Sequence, residues 1–458
     1  MTKDEEIALL KAENAALVQE VQTFKDKVAQ LLRIIEKLGI KKDSSNSHNS
    51  SSQDKGRPKR KRNRSLRPKT KRKPGGQSGH KGHTLLMSEK PDEIKELRSD
   101  FCTNCGSDLR NSTHEFISKR QEIIIPPIIP QVIEYQQFGC KCGCGHHQKS
   151  DYPKNINAPI QFGSEIIALV SYFNIFQYVP YHRLQLLFKD IFNLSISEGS
   201  IKNLLDKGAK KAEPFYKQIL KNITEATYVG SDETGAKVNG TKWWIWVWQN
   251  VKNTFLKASP SRGFATVEEV FENGLPNAIV GSDRLAAQLK ITSKGKQICL
   301  PHLFRDLNYL LDTEKTQWAQ QFKDLLKKAW ILNDVCLAEN LPCFPGETEV
   351  QALEDELNKL LAVPLLKKEH PLTLTFQTQM IKNRNYLFTF LYHLEVPPDN
   401  NASERAVRNV KVKQKISGQF KSGQDTFCVL RSVIDTLRKR KLNVLSKLKL
   451  IMAHSVPE

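Results

Sequence analysis

Three acidic residues of this chain are placed where they could hold metal ions together. Asp232 and Asp283 each end a short apolar run. Two prolines and Asp399 precede Glu404, and because proline forbids a helix before Asp399, a capped helix carrying Glu404 should begin near Asn400. Three converging carboxylates repel each other, but two divalent ions would neutralise them and clamp a phosphodiester for in-line attack. Such oxygen ligands favour Mg²⁺ or Mn²⁺.

A sheet must position the two aspartates. Residues 226–234 and residues 243–248, which are rich in aromatic and β-branched side chains, predict a hairpin. Residues 255–258 can supply a third strand, and residues 265–271 predict a helix. The run at residues 278–283 can then lie parallel to the first strand in the same sheet. Adjacent strand ends would bring the two aspartates together.

Three strands, a helix, a strand ending in Asp and a much later helix bearing Glu are the order expected of a ribonuclease-H-like α/β core. Each acid alone also has an ordinary explanation. An aspartate can simply end a strand, and Glu404 can pair with Arg408 on an exposed helix that packs inward through Val407 and Val410. All three acids in this order favour the catalytic interpretation.

Further motifs surround the acids. They are Asp232-Glu233-Thr234-Gly235 with the tryptophan-rich strand, Ser261-Arg262-Gly263, Cys299-Leu300-Pro301-His302 with Arg305, Asp399-Asn400-Asn401 with Glu404-Arg405, and the run from Val410 to Gly418. In these motifs the chain, from about residue 70 onward, resembles the DDE-type bacterial transposases of the insertion sequence 66 family. The resemblance implies that Asp232, Asp283 and Glu404 are the metal-binding triad. Residues 284–287, Arg-Leu-Ala-Ala, depart from the aromatic-containing segment common in that family.

The resemblance also implies an activity and its partners. The implied enzyme is a DNA transposase that binds the terminal inverted repeats of its insertion sequence and catalyses metal-dependent strand cleavage and strand transfer into target DNA. Companion proteins of the same element are implied as accessory partners. The candidate substrate contacts are His302, Arg305, Arg405 and Lys413. For His302, simple packing beside a strand is an equal alternative.

The charge of the chain independently indicates a nucleic-acid partner. The 458 residues carry a formal net charge of +21, and the sequence pI is near 9.5. Residues 41–84 are polar and then basic, so we expect a disordered linker that contacts DNA phosphates with little reading of sequence. The predicted DNA contacts are Lys59, Arg60, Lys61, Arg62, Arg64, Arg67, Lys69, Lys71, Arg72 and Lys73.

Residues 1–40 have the heptad pattern of a leucine zipper. The a positions are Ile7, Asn14, Val21, Val28 and Ile35, and the d positions are Leu10, Leu17, Phe24, Leu31 and Leu38. β-branched residues at a with leucine at d favour a parallel two-stranded coiled coil, and one buried Asn at a fixes the register. We therefore expect a homodimer, although an amphipathic helix packed on the same chain is the alternative.

Five cysteines of residues 85–157 predict a small zinc-ribbon-like domain. They form two clusters, Cys102-Thr103-Asn104-Cys105 and Cys140-Lys141-Cys142-Gly143-Cys144. Residues 115–125 and 128–138 predict a hairpin that would bring the clusters together, so that four thiolates hold a structural Zn²⁺. Cys102 and Cys105 would supply two of the ligands. The other two would come from among Cys140, Cys142, Cys144 and His146 or His147. Disulfides are the alternative, but no secretory signal begins the chain.

The remaining segments read mainly as helices. In residues 158–222 a helix, a short turn and a Ser-capped second helix could form a helix-turn-helix that reads transposon ends, or could simply pack before the catalytic domain. The catalytic domain spans residues 223–425 with a helical insertion at about 306–394. Residues 426–458 form a C-terminal helical segment. The sequence thus predicts a multidomain α+β protein.

The sequence also predicts where the protein is located and allows two rival functions. No segment is apolar over the ~20 residues that a membrane span needs, so we expect a cytoplasmic bacterial protein associated with the nucleoid when bound to DNA. One rival function is a catalytically inactive, zipper-dimerised, zinc-containing DNA-binding protein. Another is a junction-cutting nuclease with the same metal site, from which strand transfer would distinguish a transposase.

Overall fold

A five-stranded mixed sheet organises this computed structural model, which describes residues 14–15, 17–28, 79, 81–82, 84–339 and 348–454. The sheet has the strand order β5-β4-β3-β6-β7, and a separate two-stranded sheet pairs β1 with β2. The strands are β1 (Gly139–Lys141), β2 (His147–Lys149), β3 (Tyr228–Val238), β4 (Thr241–Gln249), β5 (Thr254–Ser259), β6 (Leu275–Ser282) and β7 (Ser293–Ile298). β3, β4 and β5 pair antiparallel, whereas β3-β6 and β6-β7 are parallel.

Helices precede, interrupt and follow the five strands. Before the sheet lie α1 (Ser164–Ser171), a π-helix (Tyr172–Phe176), α2 (Tyr181–Phe192) and α3 (Glu198–Thr224). Within it lie α4 (Phe264–Val270) and α5 (Ala286–Leu289). After it come α6 (Leu300–Thr313), α7 (Gln317–Glu339), α8 (Thr348–Ala362), α9 (Pro371–Lys382), a 3₁₀ turn (Arg384–Tyr386), α10 (Thr389–Tyr392), α11 (Asn401–Ser417), α12 (Gln424–Lys439) and α13 (Val444–Ala453). The chain is therefore a mixed α/β protein.

The sheet separates two hydrophobic cores. Side chains alternate across a strand, so Val229 and Val280 enter one core with the helices before and after the sheet. Tyr228 and Ile279 enter the other core, which the insertion helices α6 to α10 complete. Because both faces are covered, β6 is an almost continuous apolar run between Ala278 and Gly281.

Most predicted elements of the central region are confirmed. The tryptophan strand, the strand at 254–259, the helix at 264–270 and the strand before Asp283 all form within a few residues of their expected bounds. The insertion is helical as predicted. β3, however, continues to Val238, so Asp232 lies within the strand and not at its end.

The C-terminal segment is helical as predicted. It is divided into two helices, because Lys441 has a left-handed backbone and Asn443 caps a new helix by accepting a hydrogen bond from Ser446 N at 3.0 Å. The hairpin predicted between the cysteine clusters is wrong. Residues 115–125 and 128–138 lie wholly in the described part of the chain and form no strand there. Prolines between and within these runs lack the N–H that a β ladder needs.

The cysteine clusters adopt turns in place of the expected long hairpin. Cys102 N donates to Ser107 O at 2.9 Å, and Gly106 N donates to Cys102 O at 2.9 Å. The second cluster lies on the short β1-β2 hairpin, in which Cys142 N donates to His146 O at 2.8 Å. Each cluster is thus a tight turn that presents its thiols on an exposed surface.

The N-terminal heptads are described only in part. Residues 14–15 and 17–28 are helical, and Leu17, Val21, Phe24 and Val28 each expose more than half of their surface. The other heptad positions, Ile7, Leu10, Leu31, Ile35 and Leu38, lie outside the described residues, as do the ten predicted DNA contacts from Lys59 to Lys73. No helix in the described part of the chain is long and apolar enough to cross a membrane.

A partly buried lysine joins α12 to the β4-β5 turn. Lys439 Nζ donates to Gln249 Oε1 at 2.7 Å, to Asn250 O at 2.6 Å and to Asn253 O at 2.9 Å. Burial lowers the pKa of Lys439 to about 7. The unfolded chain therefore binds more protons than the folded chain between about pH 7 and the usual lysine pKa near 10.4, and stability from this group rises with pH in that window.

We expect the substitution K439M to remove this pH dependence. At pH 7 the variant leaves three acceptors without their donor and should lose roughly 1–3 kcal/mol of unfolding free energy. From pH 7 to pH 9.5 the deficit relative to the natural protein should grow by about 1 kcal/mol or more. Urea unfolding at several pH values measures both. A deficit that shrinks as the pH rises would contradict the pKa assignment.

Candidate active site

The parallel register of β3 and β6 places the two aspartates side by side. Gly230 is paired with Gly281, and the chains continue through Ser231 and Ser282 to Asp232 and Asp283. Both carboxylates are partly buried. The structure therefore places Asp232 and Asp283 next to each other on the neighbouring chains of β3 and β6, as expected.

The start of α11 is fastened directly to β3. Asn400 Nδ2 donates to Ser231 O at 2.7 Å, and Asn400 N donates to Cys299 Sγ at 3.2 Å. Ser403 Oγ accepts from Gln249 Nε2 at 3.2 Å. These buried contacts fix the first turn of the helix against the sheet, so Glu404 in that turn is held near enough to Asp232 to raise its pKa.

The proximity of the acids raises the pKa of Asp232 well above its usual range. Burial is the largest cause, and the charges of Asp283, Glu233 and Glu404 each raise the pKa further. In the described part of the chain neither Asp232 nor Asp283 forms an ion pair with a basic residue. The fold thus gathers negative charge at this point without protein cations on the two aspartates.

Glu404 does have basic neighbours on α6. Arg305 Nη2 lies 3.3 Å from Glu404 Oε1, and His302 Nε2 lies 3.9 Å from the same oxygen. His302 is buried, and its Nδ1 has no hydrogen-bond partner among the described residues. Burial, and secondly the charge of Arg305, lower the pKa of His302. The imidazole therefore faces the acid cluster mainly in its neutral form.

A fourth acid, Glu233, lies beside the cluster in a network of its own. Arg262 donates to Glu233 Oε1 through Nε at 3.0 Å and Nη2 at 2.6 Å, while Gln288 Nε2 donates to Oε2 at 2.8 Å. Burial, and then the charge of Asp283, raise the pKa of Glu233 to about 7. The Arg262 guanidinium also lies 4.7 Å from the centroid of the Trp244 ring. This network ties β3 to the segment that follows Asp283.

The donor set fits a hard divalent cation. Carboxylate oxygens are the ligands that Mg²⁺ and Mn²⁺ prefer, and a cation would relieve the repulsion that raises the pKa of Asp232. Among the described residues, however, no three His, Cys, Asp or Glu side chains are close enough together to hold a metal ion as they stand. Side-chain rotations would have to complete any such site.

Comparison with known families decides the identity of the chain. Residues 159–426 match the model of the Transposase IS66 family. The chain belongs to this family. The match spans more than half of the 458 residues and includes all three acids, the three contacts that fasten α11 and the insertion. Comparison with curated proteins gives no match. Membership of this family implies that the chain is a transposase-type enzyme. Such an enzyme binds DNA and acts in transposition, a form of DNA recombination.

The two basic candidates on α11 of this IS66-family transposase differ in setting. Arg405 is exposed beside Glu404 and is free to approach a substrate. Lys413 is partly buried, its Nζ lies 5.9 Å from the centroid of the Tyr181 ring, and burial lowers its pKa. Lys411 has a structural role instead, because its Nζ donates to Gly235 O at 2.7 Å.

Local hydrogen bonds lower the pKa of two of the clustered thiols of the transposase. A hydrogen bond with the Ser107 side chain is the main cause that lowers the pKa of Cys105 to about 7, and the backbone of Ser107 contributes. A backbone hydrogen bond from Cys144 lowers the pKa of Cys142. Cys102, Cys140 and Cys144 lie in the same turns, but the two clusters do not form one metal site in the described structure.

Sequence reasoning missed Glu233 and Arg284 as site residues. Glu233 was visible only as the neighbour of Asp232, and its contacts with Arg262 and Gln288 come from distant parts of the chain. Arg284 was noted only for departing from the family pattern, yet it is buried beside Asp283. An acid next to a candidate ligand, and a basic residue directly after one, are the signals that could have pointed to them.

Proposed function

We propose that this transposase binds the terminal inverted repeats of its insertion sequence and cuts and joins DNA at a divalent-metal site formed by Asp232, Asp283 and Glu404. One observation carries the proposal. Two partly buried aspartates, which have no basic partner among the described residues, meet a glutamate that is fastened beside them, and the charges of Asp283 and Glu404 raise the pKa of Asp232. Structural acids of a stable core are normally paired, so this arrangement indicates a cation site.

The sheet supports a ribonuclease-H-like core. Three consecutive antiparallel strands and two parallel strands in the order β5-β4-β3-β6-β7, with an acid on the central strand and another after its parallel neighbour, are the arrangement expected of that fold. The glutamate then comes from a helix after a long insertion. The same architecture favours phosphoryl transfer over the rival of a purely DNA-binding protein, which has no use for the acids.

The protein residues would supply placement and charge. Bound Mg²⁺ or Mn²⁺ would polarise the phosphate and stabilise the attacking and leaving oxygens. Asp232 and Asp283 would bind the cation from the sheet, and Glu404 would bind it from α11. Arg305 pairs with Glu404 in this structure, and its guanidinium would be released to bind a DNA phosphate if a cation took its place on Glu404. His302 and Arg405 flank the same position.

Both proposed reactions exchange one phosphorus–oxygen bond for another. In cleavage, a water oxygen bonds to phosphorus, the bond to the 3′ oxygen breaks, and the 3′ oxygen leaves with a proton as a hydroxyl. In strand transfer, that hydroxyl oxygen bonds to a target phosphorus, and the target's own 3′ oxygen leaves with the proton. No oxidant or nucleophilic side chain is needed, so the site requires only placement, charge and a route for protons.

The other domains would serve DNA binding and assembly. The basic stretch from Lys59 to Lys73 would bind phosphates, and the heptads would form a homodimer that holds two transposon ends. The exposed apolar side chains of Leu17, Val21, Phe24 and Val28 support a coiled-coil partner. Zn²⁺ held by four of the clustered cysteines would order residues 85–157, and proteins of the same element would assist.

Cleavage mapping tests the proposal. Purified protein is incubated with labelled DNA that carries the element's terminal repeats, in Mg²⁺ or in Ca²⁺, and the 3′ ends are mapped at nucleotide resolution. We expect cutting at the repeat boundary and joining to a second DNA in Mg²⁺ alone. Binding without cutting would support the inactive DNA-binding protein, and cutting without joining would support the nuclease.

A further inference from the structure

Arg284, the residue after Asp283, combines an unusual backbone with a buried side chain. Its φ of 78° lies in the left-handed region that residues with side chains seldom adopt. The side chain is 10% exposed, and its Nε has no hydrogen-bond partner in the described part of the chain. A left-handed backbone and an unpaired buried donor each cost folding free energy. Such features persist only where the surrounding structure holds the residue in place, and they cluster at functional sites.

The Arg284 side chain reaches into the helical insertion. Its guanidinium forms an ion pair with Asp306 on α6, and Nη1 donates to Gln379 Oε1 on α9 at 3.2 Å. The guanidinium also lies 5.7 Å from the centroid of the Phe376 ring on α9. A single side chain thus joins the end of β6 to two helices of the insertion.

Helix α6 connects this contact to the third acid. Asp306 on α6 holds Arg284, and the preceding residue, Arg305, lies 3.3 Å from Glu404. Because α6 is a single helix of 14 residues, its position relates the segment after β6 to the start of α11. The Arg284–Asp306 contact and the Arg305–Glu404 contact thus lie at consecutive residues of one helix.

We propose that Arg284 is a positioning residue that couples the helical insertion to Asp283 and thereby sets the affinity of the site for divalent metal. The inference rests on the proposed metal site. Asp283 Oδ1 itself accepts a hydrogen bond from Leu285 N at 3.2 Å, which lies within the same segment. Arg284 directly connects this segment to the insertion through Asp306 and Gln379, so a change there should move Asp283.

Metal binding to full-length variants tests the inference. Mn²⁺ binding is followed by electron paramagnetic resonance for the natural protein, R284Q, R284G and D232N, with melting temperatures measured alongside. We expect R284Q and R284G to bind Mn²⁺ at least tenfold more weakly, as is usual when a group supporting a metal ligand is lost. R284G keeps the test decisive if R284Q folds poorly, because glycine adopts a positive φ without strain.

R384Q is the matched control. Arg384, like Arg284, bridges an acid and an amide of the insertion, with Nη2 2.7 Å from Glu354 Oε2 and Nε 3.0 Å from Asn358 Oδ1. It should lower the melting temperature without changing Mn²⁺ affinity. Affinity within twofold of the natural protein in both Arg284 variants would overturn the inference. Equal binding by the natural protein and D232N would instead overturn the proposed metal site itself.

Discussion

The substitution D232N should abolish strand cutting while leaving DNA binding nearly unchanged. Asparagine keeps the shape of the side chain but removes the carboxylate charge that a divalent cation needs. We expect a fall in cleavage rate on the order of 10³-fold or more, because loss of one ligand disturbs the placement of both reacting oxygens. Affinity for terminal-repeat DNA should stay within about twofold, since phosphate contacts elsewhere supply most of it.

The same substitution should stabilise the metal-free protein, because it removes one of several negative charges that lie close together. Burial and three neighbouring acids raise the pKa of Asp232, so the folded state carries this charge at a cost near neutral pH. In the absence of divalent metal, D232N should therefore be more stable than the natural protein near neutral pH. Added Mg²⁺ should raise the melting temperature of the natural protein and not that of D232N.

An exposed aspartate offers the matched control for both measurements. Asp324 on α7 pairs with Lys327 at 2.7 Å, and its side chain is 45% exposed. D324N should leave cleavage, DNA affinity and the Mg²⁺ response as they are in the natural protein, because surface ion pairs contribute little. If D232N lost DNA binding as completely as cutting, Asp232 would have a structural role and the metal assignment would be wrong.

The parts of the site that local sequence could predict are those with local causes. Alternating tryptophans specify β4 because aromatic and β-branched side chains suit a half-buried strand. The start of α11 also has a local cause, because the two prolines before Asp399 exclude a helix upstream. The order of the three acids along the chain then followed from these elements.

Elements that depend on distant partners were not predictable in this way. β7 has the sequence Ser-Lys-Gly-Lys-Gln-Ile, which lacks an apolar alternation, and it is a strand because β6 offers it a parallel edge. The roles of Glu233 and Arg284 likewise depend on residues 29 and 22 positions away. Such long-range pairings are set by the packing of the whole fold and leave no local pattern.

Position 230 supplies the second large expected effect, because a methyl group there has no space. A Cβ built on Gly230 would lie 2.5 Å from Gln249 Nε2, 2.7 Å from Ser403 Oγ and 3.0 Å from Asn400 Oδ1. Gln249 and Ser403 form the hydrogen bond that holds α11 against β4, and Asn400 donates through its Nδ2 the hydrogen bond that holds α11 against β3. The substitution G230A must therefore push the first turn of α11 away from the strand that carries Asp232.

We expect G230A to lose about 10²-fold in cleavage rate, since a displacement near 1 Å in a catalytic site has effects of that size. Its unfolding free energy should fall by roughly 1–3 kcal/mol, as for other overpacked cores. Cleavage assays and urea unfolding measure the two changes. DNA affinity should stay within about twofold, because the phosphate contacts proposed for Lys59 to Lys73 are distant in the chain from Gly230.

The strand itself provides the control that separates crowding from any general effect of alanine in β3. Gly235 lies five residues further along β3, and a Cβ there would meet only the Trp244 ring at 3.9 Å, an ordinary contact. G235A should change stability by less than about 0.5 kcal/mol and leave cleavage intact. Equal losses in G230A and G235A would mean that the strand, and not the seating of Glu404 against Asp232, limits the reaction. A selective loss in G230A would show that the distance between strand and helix is what the enzyme must hold, because that variant retains all three acids.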